Sequence, residues 1–162
     1  MADPTEAQLQ TIGAAVEMMR QFGSYDAEEH EDLHVSIALP IFTIDTDGIE
    51  NDGFLHAAEA IGNRFVVDGA PGLLAVDVEE GDEPQLISAV HGVAADALAS
   101  LLTRLEIGSD AEPRILSIRG MRAEALWLPR TDRLVTLIGP DEDDFIGGAR
   151  RQLADGRDRS IK

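Results

Sequence analysis

Residues 73–105, LLAVDVEEGDEPQLISAV followed by HGVAADALASLLTRL, carry the pattern on which the fold class turns. Leu74, Val76 and Val78 alternate with a period of two, Gly81-Asp82 supplies turn chemistry, and Leu86 to Val90 returns as a second strand. From residue 93 the period lengthens to that of a helix, with Ala94, Leu98, Leu101, Leu102 and Leu105 on one face. Two strands joined by a short turn pair antiparallel, and the helix that follows must cover the sheet they form. The unit is β-β-α.

The same order recurs at 122–154. Ala123 to Leu128 and Leu134 to Ile138 read as a hairpin around Pro129-Arg130-Thr131-Asp132, and a helix over 142–154 presents Ile146, Ala149 and Leu153. Ile115 to Arg119 reads as a further strand. Upstream, 6–22 has amphipathic helical spacing through Leu9, Ile12, Val16 and Met19, with Asp3-Pro4 as its start signal. Residues 26–32 form an acidic linker. Leu33, Val35, Ile37, Leu39 and Ile41 then alternate as the clearest strand in the chain. Beyond Pro40, Phe42 and Ile44 continue on the other parity, which predicts a bulge or an edge position at the proline. A short helix carrying Phe54, Ala58 and Ile61 on one face is expected next, and Gly69-Ala70-Pro71-Gly72 breaks the chain. Together these elements predict a single α+β domain over 1–162. Its core spans 33–154, with a mainly antiparallel sheet, helices packed on one face, N- and C-terminal helices, and a frayed tail at 155–162.

Charge bounds the partners. Against 31 acidic residues stand 13 basic ones, only one of them a lysine (Lys162), for a formal charge of −18 over 162 residues. Such a field repels nucleic acid and anionic membrane surfaces and favours cationic partners. GC-rich coding or a salty cell interior would each account for the acidity without a dedicated partner. Cysteine is absent, which excludes disulfides and thiolate metal sites. The start MADPTEAQLQ lacks a basic and an apolar segment of signal type, and no apolar run approaches the ~20 residues that cross a bilayer. A cytoplasmic location is expected.

Two strings resemble catalytic motifs. His30-Glu31-Asp32-Leu33-His34 spells H-E-x-x-H and is similar to the zinc-protease motif. There, helical spacing puts two imidazoles on one face and the Glu activates a zinc-bound water. Glu50, His56 and Glu59 are candidate third ligands. Residue 33 also begins the strand alternation, and on a strand His30 and His34 would stand ~13 Å apart. Ile41-Phe42-Thr43-Ile44-Asp45-Thr46-Asp47-Gly48 resembles the first motif of haloacid dehalogenase-type phosphatases. That resemblance implies Asp45 as nucleophile, Asp47 as acid/base, and a Mg²⁺ site completed by the acidic run Asp141 to Asp144. The family's phosphate-binding lysine has no counterpart, so Arg119 or Arg122 would stand in.

The element order α-β-(α)-β-β-α-β-β-β-α in a small, acidic, cysteine-free chain is similar to the type III secretion chaperone fold. That likeness implies a small acidic dimer that holds partly unfolded partners. No polar constellation combines the spacing with the structural context that catalysis needs. The expected function is therefore a non-enzymatic protein-interaction module, chaperone- or adaptor-like, with no cofactor, binding a protein partner or itself as a homodimer. The alternatives are phosphohydrolase chemistry at Asp45 and Asp47 and a zinc hydrolase at His30, Glu31 and His34. Trp127, the only tryptophan, lies between Leu126 and Leu128 on a hairpin strand and is the expected anchor of a sheet face or an interface.

Overall fold

The computed structural model describes residues 4–21, 34–50, 53–69, 72–91, 93–107, 109–139 and 144–160. In chain order the elements are α1 (Glu6–Gln21), β1 (His34–Asp45), β2 (Glu59–Gly69), β3 (Gly72–Glu79), β4 (Leu86–His91), α2 (Val93–Arg104), β5 (Arg114–Arg119), β6 (Glu124–Leu128), β7 (Arg133–Ile138) and α3 (Phe145–Ser160). Three short 3-10 turns, Gly48–Glu50, Phe54–Ala57 and Ser109–Ala111, punctuate the connections. The seven strands are hydrogen-bonded in the order β4-β3-β2-β1-β5-β6-β7, in a mostly antiparallel sheet with helices at both chain ends. This is the α+β class expected from the β-β-α pattern. Among the described residues no helix is long and apolar enough to cross a membrane.

The chain forms two compact units: Met1–Pro40 with Ile61–Ser109, and Ile41–Ala60 with Asp110–Lys162. In the first, α1 packs Ile12, Ala15 and Val16 against Phe65, Val67, Leu74, Val76 and Val78. These strand residues share one parity, since Phe65 faces Val76 and Val67 faces Leu74 across the β2–β3 pair. The opposite parity of β3 is closed as well, Ala75 and Asp77 each being 6 % exposed. Gly62 is required by this pairing, because a Cβ there would run into the Val78 carbonyl and the Glu79 backbone.

In the second unit β1 and β5 run parallel, from Ile41 opposite Ile115 to Asp45 opposite Arg119. Pro40 therefore immediately precedes the first β1 residue paired with β5, where its missing N–H interrupts none of those bonds. The two parities of β1 seen in the sequence both find cover: Ile41 and Thr43 are buried, and Phe42 and Ile44 join the second core. That core gathers Leu116, Ile118, Ala125 and Trp127 beneath Phe145 and Ala149 of α3. Gly120 turns β5 into β6 at φ +92, a left-handed conformation that L side chains rarely adopt.

Three expectations are corrected. The segment holding Phe54, Ala58 and Ile61 is not a helix; a 3-10 turn ends at Ala57 and the eleven-residue strand β2 begins at Glu59. Helical spacing of three apolar residues lost to the longer run of sheet pairing available to 62–69. Leu9, expected inward, is 40 % exposed, because the inward face of α1 is set by Ile12, Ala15 and Val16. The last helix, expected over 142–154, runs from Phe145 to Ser160. The acidic linker 26–32 lies outside the described residues.

Candidate functional site

Helix α1 is fixed at its start by a reciprocal cap. The Gln8 backbone N–H donates to Thr5 Oγ1 and the Thr5 N–H donates to Gln8 Oε1, both at 3.1 Å. This T-x-x-Q box satisfies donors that a helix start otherwise leaves open, and it orients the faces of the helix. One face, Ile12, Ala15 and Val16, enters the core. The adjacent stripe Ala7, Thr11, Ala14 and Met18 follows the i, i+4, i+7, i+11 spacing and borders a groove of about 540 Å³, whose far wall is the turn Asp82 to Leu86. Thr11 Oγ1 lies 3.2 Å from Pro84 O, which ties that turn to the helix.

Two exposed apolar side chains, Met18 and Leu86, line this groove. Among the described residues the exposed large hydrophobic side chains are Leu9 (40 %), Met18 (43 %), Leu86 (36 %) and Ile87 (43 %). All four belong to α1 and β4. Ile87 is exposed through a register shift: Asp77 faces Ser88 while Val78 faces Leu86, leaving Ile87 as the extra residue of the edge strand. The groove wall carries Asp82 and Glu83, and Glu79 and Glu80 are exposed at the head of the same turn. An apolar patch with an acidic border is the result. Clustered apolar exposure marks a contact surface where scattered single residues would not.

None of the described catalytic or metal-binding candidates lines this groove. His34 opens β1, a strand, and its exposed Nδ1 stands 3.0 Å from Asp68 Oδ2 on β2. The helical face that H-E-x-x-H chemistry needs is thus absent at His34, while His30 and Glu31 lie outside the described residues. His56 is exposed in the 3-10 turn Phe54–Ala57, and Glu59 is exposed at the start of β2. Asp45 ends β1 with its Oδ1 3.3 Å from Arg119 Nη1, at the register position where parallel pairing sets the two residues side by side. Asp47 is exposed in the following turn. Asp144 caps α3, accepting the Gly147 N–H on Oδ1 at 3.0 Å; Asp141 lies outside the described residues. Among the described residues no three His, Asp or Glu side chains gather as metal ligands.

Trp127 is 6 % exposed within the second core, edge-on to Phe42 with ring centroids 5.5 Å apart. It anchors a sheet face from inside and offers little of its ring to solvent. The groove itself was not among the sequence candidates. Its signal was present in the Ala7-Thr11-Ala14-Met18 stripe, but nothing in one sequence says that the turn 82–86 comes to rest beside it. Compared with known proteins, the chain matches no family model, no curated sequence and no solved structure.

Proposed function

We propose that this chain is a non-enzymatic protein-interaction module that takes an apolar, positively charged segment of a partner protein on the surface formed by α1 and β4. The observation that carries this reading is the pair of exposed apolar side chains Met18 on α1 and Leu86 on β4, which line one groove together with Ala7 and Ala14. Covering such side chains contributes about 25 cal/mol per Å² of apolar surface removed from water. The acidic wall at Asp82 and Glu83, within a chain of net charge −18, selects lysine- or arginine-bearing segments and speeds their approach. The compartment consistent with this role is the cytoplasm, and the mode of action is that of an adaptor or holding chaperone.

The test is a labelled peptide of alternating leucine and lysine, compared by anisotropy with its leucine–glutamate counterpart. The lysine peptide is expected to bind, with affinity falling as salt rises, and to lose at least tenfold in Met18→Glu and in Leu86→Glu. Equal binding of both peptides, or unchanged binding by both variants, would sink the reading.

A homodimer formed through the same apolar surface is the second form of this proposal. It has the opposite salt dependence, because two copies of charge −18 repel until ions screen them. Light scattering that shows dimer increasing with salt supports self-pairing. A mass that stays monomeric at all salt concentrations removes it.

A further inference from the structure

The chain contains 31 acidic residues, yet Arg114 has none of them as a partner among the described residues. It opens β5 directly opposite Trp127 on β6, half-buried, and its contacts are with aromatic rings. Its guanidinium carbon stands 4.8 Å from the centroid of Phe42 and 5.2 Å from that of Trp127. The two rings are nearly perpendicular, at 82°, and offer the guanidinium no hydrogen-bond acceptor of the oxygen type its N–H groups prefer. Beside it is a second donor in the same condition. Trp127 is only 6 % exposed, and its Nε1 has no hydrogen-bond partner among the described residues. Indole N–H donates and never accepts, and guanidinium likewise. Two adjoining groups with donors only, one of them buried, call for a ligand that brings acceptors only.

We propose that Arg114 and the Trp127 indole form a binding site for a carboxylate, independent of the apolar surface on α1 and β4. A carboxylate is planar, presents two oxygens matched to the guanidinium fork, and carries a single charge. Phosphates meet the same donors with a larger charge, against which the field of a chain at −18 acts more strongly. The carboxylate can belong to a small organic acid or to the C-terminus of a peptide.

Trp127 is the only tryptophan, so its emission reports on this site alone. The full-length protein is titrated with sodium acetate and with sodium chloride at matched ionic strength. It is also titrated with N-acetyl-trialanine, once as the free acid and once as the amide. A saturable change is expected with acetate, with the free-acid peptide, or with both, and the pattern tells the two sources apart. Arg114→Gln is expected to weaken it at least tenfold. Equal responses to acetate and chloride together with equal responses to the two peptide forms, or an unchanged curve in Arg114→Gln, would overturn the proposal. Should that variant fail to fold, the indole N–H resonance of the wild-type protein decides. A saturable shift with acetate or the free-acid peptide and not with chloride supports the site; a stationary resonance overturns it.

Discussion

Asp77 sits in a stretch, Leu73 to Val78, whose alternation reads as apolar inward and polar outward, so a solvent-facing carboxylate is the natural expectation. Instead the residue is buried, and three strands meet on it. Arg64 Nε and Nη2 donate to Asp77 Oδ1 and Oδ2 at 2.8 Å each, and Ser88 Oγ donates to Oδ2 at 3.2 Å. Arg64 faces Asp77 across β2–β3 and Asp77 faces Ser88 across β3–β4, so the network lies along one row of the sheet. A one-residue slip of either neighbour would leave a buried charge unpaired, which gives the row its hold on register. Asp77→Ala is expected to cost about 3–5 kcal/mol in urea unfolding, since it removes a buried carboxylate that pairs with Arg64, whose side chain is only 12 % exposed. The double change Arg64→Met with Asp77→Leu is expected to be far milder, because it removes the desolvation penalty along with the attraction. A double variant as unstable as the single one would refute this account.

Element boundaries show which local signals survive folding. Both hairpins and the helix at 93–105 were readable, because turn residues and a change of period mark them without reference to distant parts of the chain. The start of α1 was readable only in part: Asp3-Pro4 drew attention, while the working cap is Thr5 with Gln8. Thr5→Ala is expected to lower stability by about 1 kcal/mol, seen as an earlier urea midpoint with an unchanged slope. An unaltered midpoint would show that the box is ornamental. Strand β2 was missed because Phe65, Val66 and Val67 are buried in succession, and a strand covered on both faces shows no alternation. The edge strands were not legible as such either. Both carry a register shift, at Ile87 in β4 and at Leu137 in β7, where Glu124 faces Ile138 while Ala125 faces Thr136. Bulges there interrupt a regular ladder and hinder indiscriminate edge-to-edge pairing. An interaction at β4 is thereby directed toward side chains and away from simple strand addition.

At the scale of the whole molecule the charge of −18 works against compaction as well as against anionic partners. Exposed ion pairs such as Asp45 with Arg119, at 65 % and 61 % side-chain exposure, contribute little. Added salt should therefore stabilise the fold by screening like charges over distances beyond roughly 10 Å. Thermal unfolding is expected to move to higher temperature as sodium chloride rises, and a falling Tm would contradict this. Sequence by itself determined the α+β class, the repeated β-β-α order, most helix and hairpin positions, and the net charge, since periodicity, turn chemistry and charge are local or additive properties. Tertiary structure alone decided that the two compact units divide at Pro40 and Ile41, inside β1, and at Ala60 and Ile61, inside β2. It alone set Asp77 inside, brought the turn 82–86 to the small-residue stripe of α1, and set Arg114 against two aromatic rings. Each of these depends on which strand lies beside which, and pairing between distant segments is a choice that no single segment records.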